Sequence, residues 1–220
     1  MAKTLTLADE IVILMLDDET GNIKPDFRPV ARVAIAAGAL MELALIGRVD
    51  SDLQSLFAVN PQPVGDIFLD EILDVIAGDQ NKHPSAWWVD HLSRADKDLV
   101  AQVRSRLVDA GALLEERRSD QFFYMGRAYV PSSGEAKGEV KARMMSILFK
   151  DEVPDSRDIL LLGLVHSTGA LSAILSNDEM EKAKPRIEDL TALEDIGRAV
   201  EAVAGQARDS ATSLMKALYR

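Results

Sequence analysis

The sequence of 220 residues contains no cysteine and few aromatic side chains. The lack of cysteine excludes disulfide bonds, thiolate metal ligands and cysteine nucleophiles. Aromatic residues make up 5% of the chain and hydrophobic residues 47%, so the core must consist mainly of Leu, Val, Ile, Ala and Met. An aliphatic core of this kind favours packed helices over a β-sandwich rich in aromatic residues.

Long uncharged apolar runs are also missing. No stretch of about 18 such residues occurs, so we expect no helix that spans a bilayer. The first residues, Met1 to Thr4, show neither the apolar run nor the cleavage site of a signal peptide. We therefore expect a soluble protein of the cytoplasm.

The common catalytic motifs are absent as well. His83, His91 and His166 do not stand in a metal-binding spacing, and no G-x-S-x-G, Walker or G-x-G-x-x-G motif occurs. We therefore expect neither enzymatic activity nor a cofactor.

The charge is strongly acidic and unevenly distributed. The formal net charge is −11, which argues against a whole surface built for nucleic acid or anionic lipid. Residues 85–150 nevertheless carry a small positive excess, so this is the part of the chain where an anion would bind if the protein binds one. Asp66, Asp70 and Asp74 recur every four residues. A hard cation is one interpretation of this spacing, but a solvated helix face is more typical, and we expect no metal.

The apolar spacing predicts a mainly helical chain with one β-hairpin. The predicted helices are 7–16, 29–46, 65–76, 87–93, 96–110, 135–149 and 159–175, with one or two more in 178–206 and a last one at 210–218. The hairpin is predicted over 113–129, with a polar tip at 117–121. Two glycines, Gly47 and Gly111, each follow a predicted helix and precede a predicted strand, so both are expected to end their helix.

The helix and hairpin of residues 97–130 allow two interpretations. In a winged-helix protein the helix reads DNA and the hairpin contacts the backbone. The phosphate contacts would then be Arg104, Arg106, Arg117, Arg118 and Arg127. In the other interpretation the hairpin is an edge element whose charges oppose aggregation. The acidic net charge favours the second, and we expect no nucleic-acid partner.

Several segments, taken in order, resemble the Golgi phosphoprotein 3 family, and a bacterial-type member in particular. They are 6–14, 40–48, the P-x-G-D-x-x-L-D-E segment at 63–71, 88–90, 106–113 and the apolar stretch 157–171. The resemblance covers nearly the whole chain. It implies one domain over 1–220, with a helical bundle core ringed by amphipathic helices and a projecting β-hairpin.

The resemblance also implies a function. Eukaryotic members are peripheral Golgi proteins that bind phosphatidylinositol 4-phosphate and hold the cytosolic tails of glycosyltransferases. By this resemblance we expect a non-enzymatic adaptor at the cytoplasmic face of a membrane. Its partners would be anionic lipid or a phosphoinositide, and protein tails. In some members the hairpin mediates self-association, for which Phe122, Phe123 and Tyr124 would supply apolar contacts.

The lipid site implied by the resemblance is incomplete in this sequence. Counted back from Glu42, the family's tryptophan falls on Phe27 and its first arginine on Ala36. Of the family's arginine pair, one register keeps a cation at Lys97 and the other keeps one at Arg104. The resemblance therefore predicts a degenerate headgroup site made of Phe27, Lys97 and Arg104.

Losing two of three cations should weaken phosphate binding severely, because a phosphate needs several converging charged donors. Arg28, Arg32 and Arg94 are near enough in the sequence to compensate. Two alternatives remain beside the lipid adaptor. One is the DNA-binding protein described above, and the other is a protein-interaction scaffold without lipid binding.

Overall fold

Helix α1 (Leu7–Met15) lies at the centre of the fold, and all nine of its residues are buried. The computed structural model describes residues 4–52, 54–119, 125–150, 153–191, 200 and 203–207. Thr6 and Asp9 form a capping box, in which each side chain accepts a hydrogen bond from the other residue's backbone N–H. The helix therefore starts where the sequence predicts, and its apolar surface is covered on every side.

Helix α2 (Ala31–Leu45) packs against α1 at short range. A Cβ placed on Gly38 would lie 2.8 Å from the backbone nitrogen of Ala8. The alanine-rich sequence around Gly38 thus allows two backbones to approach each other closely. Pro29, predicted in the first turn of this helix, lies in the turn before it, after a short 3-10 helix at Pro25–Phe27.

The rest of the chain surrounds this pair, as predicted for a mainly helical protein with a hairpin. The remaining elements are β1 (Val49–Ser51), β2 (Leu56–Ala58), α3 (Ile67–Gly78), α4 (Ser85–Ser93), α5 (Leu99–Asp109), β3 (Leu113–Ser119), β4 (Met125–Pro131), α6 (Glu135–Phe149), α7 (Ser156–Ser167), a 3-10 helix (Ala170–Ala173) and α8 (Asn177–Thr191). Strands β1 and β2 pair antiparallel, as do β3 and β4. Residues 203–207 are also helical. Among the described residues, no helix is long and apolar enough to cross a membrane.

Both predicted glycine stops are confirmed. Gly47 has a φ of 66° after α2, and Gly111 has a φ of 76° after α5. This left-handed conformation ends a helix and favours glycine because it lacks a Cβ. Each glycine therefore turns the chain from a helix into a strand.

Two predicted elements are wrong in extent. After Gly47, where one strand is predicted, Val49–Ser51 and Leu56–Ala58 form two paired strands. The single helix predicted over 159–175 starts at Ser156 and ends at Ser167, and Gly169 then takes a φ of 73°. A second apolar segment, in a 3-10 helix, follows this break. The apolar pattern continues across the break, which explains why the sequence predicted a single helix.

The predicted hairpin is confirmed, but its predicted tip at 117–121 is wrong, because residues 117–119 belong to β3 and pair with residues 125–127. Glu115 pairs with Tyr129, and Arg117 pairs with Arg127. The turn before the 3-10 helix packs under β4, since a Cβ on Gly21 would lie 1.1 Å from the carbonyl oxygen of Tyr129. Phe122, Phe123 and Tyr124, predicted to support self-association, lie outside the described residues, as does the predicted last helix, 210–218.

Candidate functional site: the cations of α4 and α5

Three cations in or just before α5 lie in three different environments. Lys97 precedes the helix, while Arg104 and Arg106 lie within it. Lys97 faces α3, Arg104 faces β4 and the turn before the 3-10 helix, and Arg106 lies between α1 and α3. Each surrounding decides whether the charge is available to a ligand.

Lys97 lies at the edge of an apolar cavity of about 270 Å³. The cavity is lined by Ala36, Phe68, Glu71, Ile72, Val75, Leu92, Ala95, Asp96, Lys97, Leu99 and Gln102. The Lys97 Nζ is 2.8 Å from the Glu71 Oε2. The hydrogen bond from Lys97 lowers the pKa of the Glu71 carboxyl. The charge of Lys97 is therefore already balanced by a neighbouring carboxylate.

Arg104 lies elsewhere, against the hairpin. Its guanidinium carbon is 5.5 Å from the centroid of the Tyr129 ring, and its Nη2 is 3.5 Å from the Asn22 Oδ1. Burial lowers the pKa of this guanidinium, partly offset by Tyr129 and Asp98. A cation stacked on an aromatic ring in this way holds the hairpin to α5.

Phe27 is buried in the core within its 3-10 helix. Of the three residues predicted to bind a headgroup, Lys97 alone is among the described residues that line the cavity beside Ala36. Lys97 therefore lies at the same cavity as Ala36, whereas Arg104 packs against the hairpin.

Two of the arginines named as compensating cations do share a cavity. Arg32 and Arg94 both line a space of about 570 Å³ between α2, α4 and the helical residues 203–207. The Arg32 Nε donates to the Ser93 carbonyl oxygen at 2.6 Å, and its Nη2 donates to the carbonyl oxygen of Ala95. The Arg94 Nε lies 2.7 Å from the Asp90 Oδ1, with most of the Arg94 side chain exposed. Arg28 instead makes a long contact with the Ile23 carbonyl oxygen.

Arg106 is a structural cation that sequence reasoning missed. Its Nε and Nη2 donate to the two carboxylate oxygens of Asp9, at 3.0 and 2.9 Å. Its Nη1 donates to Asp66, which also caps α3 by accepting from Phe68 and Leu69. Burial lowers the pKa of Arg106, but both carboxylates outweigh burial and raise it. Its guanidinium is unavailable to DNA, so the winged-helix interpretation loses one of its phosphate contacts.

The remaining carboxylates of the acidic stripe have different roles. Asp70 accepts hydrogen bonds from the backbone N–H groups of Val64 and Gly65, at 2.6 and 3.2 Å. Asp74 is exposed. In the P-x-G-D-x-x-L-D-E segment, Asp66 therefore caps α3, and Asp70 holds the preceding loop through hydrogen bonds to its backbone.

The model of the Golgi phosphoprotein 3 (GPP34) family matches residues 7–209. The chain belongs to the Golgi phosphoprotein 3 family. No curated protein matches the sequence. The family match covers the P-x-G-D-x-x-L-D-E segment, the Glu42 helix and α5, so the structural clamps described above belong to the family domain.

Glu42, which lies in another segment of the family resemblance, joins three elements of this domain. Its Oε2 accepts from the backbone N–H of Leu7 at 2.8 Å, so it caps α1 from α2. The Arg157 Nη1 lies 2.9 and 3.0 Å from its two oxygens, and the Arg157 Nη2 donates to the Leu5 carbonyl oxygen. Glu42 and Arg157 thus join the last turns of α2 to the start of α1 and to α7.

Glu10 lies beside this pair and is buried. Its Oε1 accepts from the Arg143 Nη2 at 2.8 Å, and its Oε2 is 3.5 Å from the Arg157 Nη2. Burial raises the pKa of Glu10 above its usual 4.5, although the hydrogen bond from Arg143 opposes this. A raised pKa means that the ionised form is less favourable in the folded protein than in the unfolded chain.

This shift gives a pH prediction for Glu10→Gln. The cost of ionising Glu10 is present above its folded pKa and is removed as the pH falls towards 4.5. We therefore expect wild-type protein to gain unfolding free energy relative to the variant as the pH falls from 7 to about 4.5, by about 1.4 kcal/mol for each unit of raised pKa. Urea unfolding of both proteins across this range measures the difference.

Glu179→Gln provides the control of opposite sign. Hydrogen bonds from the backbone and side chain of Ser176 lower the pKa of exposed Glu179. Its stabilising effect is therefore present above pH 4.5 and is lost as the pH falls through the lower, folded pKa. A wild-type protein that loses stability relative to Glu10→Gln between pH 7 and 4.5 contradicts the prediction.

Proposed function

We propose that this family member is a non-enzymatic peripheral adaptor that contacts anionic lipid headgroups through Arg32 and Arg94. The observation that supports the proposal is the presence of both guanidinium groups at the same cavity between α2 and α4. Two backbone carbonyl oxygens hold Arg32 in place, so its position does not depend on a ligand. A positioned guanidinium loses less side-chain entropy when it binds a phosphate.

Arg94 provides the exchangeable charge. Its partner Asp90 lies one helical turn earlier, and both side chains are partly exposed. An exposed pair of this kind contributes about 0–1 kcal/mol, so a phosphate can replace the carboxylate at little cost. The Lys97–Glu71 pair is also exposed, but the lining beside Lys97 contains a second carboxylate, Asp96, and is net negative. The lining that holds Arg32 and Arg94 contains one carboxylate, Asp90, and is net positive.

Arg94→Glu is expected to weaken binding to anionic vesicles about thirtyfold. Each basic residue near an anionic surface contributes about 1 kcal/mol, and this change replaces a positive charge with a negative one. Co-sedimentation with phosphatidylcholine vesicles measures the effect. The vesicles contain phosphatidylserine, phosphatidylinositol 4-phosphate or neither, at low and at high salt.

Lys184→Glu is the matched control, since Lys184 is exposed on α8 and its replacement changes the net charge by the same amount. We expect this variant to lose much less affinity. Equal losses for the two variants, or no binding of wild-type protein to either anionic vesicle, would overturn the proposal. A preference for phosphatidylinositol 4-phosphate over phosphatidylserine would extend it to phosphoinositides.

The scaffold alternative is supported by a different surface. Ile46, Phe57 and Val59 are large apolar side chains that are 45%, 40% and 52% exposed around β1 and β2. The Val59 N–H donates to the Arg48 carbonyl oxygen, which brings the end of β2 next to the end of α2. Apolar side chains exposed together are typical of protein-binding surfaces.

The scaffold alternative has its own test. Phe57→Asp with Val59→Asp should abolish capture of a protein partner and leave vesicle binding unchanged. Ile67→Asp, at another exposed apolar side chain, is the control. Partner capture that survives the double change would contradict this alternative. Self-association through the hairpin and the binding of protein tails stay predictions of the family resemblance.

A further inference from the structure

The cavity beside Lys97 has apolar walls that come from four helices and the turn after α4. Its lining from α2 is Ala36, and its outer wall is Val75, which is 45% exposed. Phe68, Ile72 and Leu99 are buried in the same walls. A concave apolar site with a few polar groups at its edge is the usual form of a small-ligand site.

We propose that this cavity binds a single alkyl chain of about ten carbons that carries a positively charged or neutral head group. The size follows from the volume of about 270 Å³. An engineered apolar cavity of about 150 Å³ binds benzene, so this one holds roughly twice as much hydrocarbon. A straight chain suits the site, because one end must reach the polar residues at the edge.

The charges at the edge select the head group. Glu71 and Asp96 are negative and Lys97 is positive, so the lining carries a net negative charge. Lys97 is already paired with Glu71 at 2.8 Å, which leaves its charge balanced. The pair is neutral as a whole, so the charge of Asp96 remains. A carboxylate head therefore meets a net repulsion, whereas an ammonium head meets a net attraction.

This ligand is separate from the headgroup contact proposed for Arg32 and Arg94. Neither arginine is among the described residues that line the cavity, and Ala95 is the described residue common to both spaces. Vesicle binding can therefore fail while alkyl-chain binding persists, and the reverse also holds.

Isothermal titration calorimetry with three ligands of equal chain length tests the head group. The probes are decyltrimethylammonium, decanol and decanoate, each kept below the concentration at which it forms micelles. We expect decyltrimethylammonium to bind most tightly and decanoate most weakly. Decanoate as the tightest ligand, or no saturable binding of any probe, would overturn the proposal.

A chain-length series tests the size of the site. Burial of one methylene contributes about 0.8 kcal/mol, which corresponds to about a fourfold gain in affinity. The decyl ligand should therefore bind roughly fifteenfold more tightly than octyltrimethylammonium, and the dodecyl ligand should gain little more. Affinity that keeps rising at the same rate beyond ten carbons would indicate adsorption to the surface and contradict a closed site.

Two variants locate the site on the protein. Val75→Trp places a large side chain on the outer wall and should abolish binding of decyltrimethylammonium. Ile67→Trp, on the same helix but outside the lining described, should bind as wild type does. Equal binding by Val75→Trp and Ile67→Trp, with both shown to be folded by circular dichroism, would place the ligand elsewhere.

Glu71→Gln tests the role of charge within the same site. The change removes one negative charge and leaves Lys97 without its partner at 2.8 Å. We expect affinity for decyltrimethylammonium to fall about two- to fivefold and affinity for decanoate to rise by a similar factor, as exposed ion pairs allow. Unchanged preference among the three head groups would contradict selection by the charges at the edge.

Discussion

Arg106→Met is expected to lower the free energy of unfolding by about 3–5 kcal/mol. The side chains of Arg106, Asp9 and Asp66 are 10%, 3% and 13% exposed, so water cannot replace the missing guanidinium. The variant leaves two buried carboxylates without their cation, although Thr6 still donates to Asp9. The change also disconnects α5 from the starts of α1 and α3, where both carboxylates act as caps.

Thermal and urea unfolding measure this loss. For a chain of this length each 1 kcal/mol lowers Tm by about 2–4 °C, so a fall of roughly 6–20 °C is expected. Arg94→Met is the matched control, because it removes an exposed pair that contributes about 0–1 kcal/mol. Asp9→Asn and Asp66→Asn added to Arg106→Met should recover part of the stability, since they remove the two negative charges that Arg106 neutralised. Equal losses for Arg106→Met and Arg94→Met would contradict a buried clamp.

Gly21→Ala is expected to destabilise the protein by about 2–5 kcal/mol. Gly21 has a φ of 62°, where a residue with a Cβ costs about 1–2 kcal/mol. The added Cβ would also lie 1.1 Å from the carbonyl oxygen of Tyr129, so β4 or the turn must move. Overpacking of this kind costs about 1–3 kcal/mol, and here the neighbour is backbone rather than a flexible side chain.

Two other glycines separate these contributions. Gly47→Ala meets the same positive φ, at 66°, but has nothing within 4 Å of the new Cβ, so it measures the conformational cost alone. Gly138 is exposed near the start of α6, where an added Cβ meets nothing within 4 Å, so Gly138→Ala should stabilise the protein by about 0.5–1 kcal/mol. Urea unfolding of all three variants gives the comparison. A loss for Gly21→Ala no larger than that for Gly47→Ala would contradict the close packing of the turn under β4.

The sequence named several cations of the candidate site, but it did not show which of them lie together. Arg32 and Arg94 were named as compensating cations from proximity along the chain, and the structure places both at one cavity. Lys97 and Arg104 lie seven positions apart around α5, yet one meets Glu71 of α3 and the other meets Tyr129 of β4. The partners on neighbouring elements decide which charges remain available, and a single sequence does not show these partners.

The features that the sequence determined by itself are those that depend on a few neighbouring residues. The Thr6–Asp9 capping box and the glycine stops at 47 and 111 involve local backbone geometry. The order of short motifs along the chain was enough to predict the family, and the family match confirms it.

Only the tertiary structure decided the ionic partners and the cavities. Arg106 and Asp9 are separated by 97 residues, and Arg157 and Glu42 by 115. Such pairs depend on how closely helices pack, as at Gly38, and on burial, which makes a carboxylate costly until a cation reaches it. The physical reason is that burial and long-range contact are properties of packed elements, whereas caps and turns are set by the residues beside them.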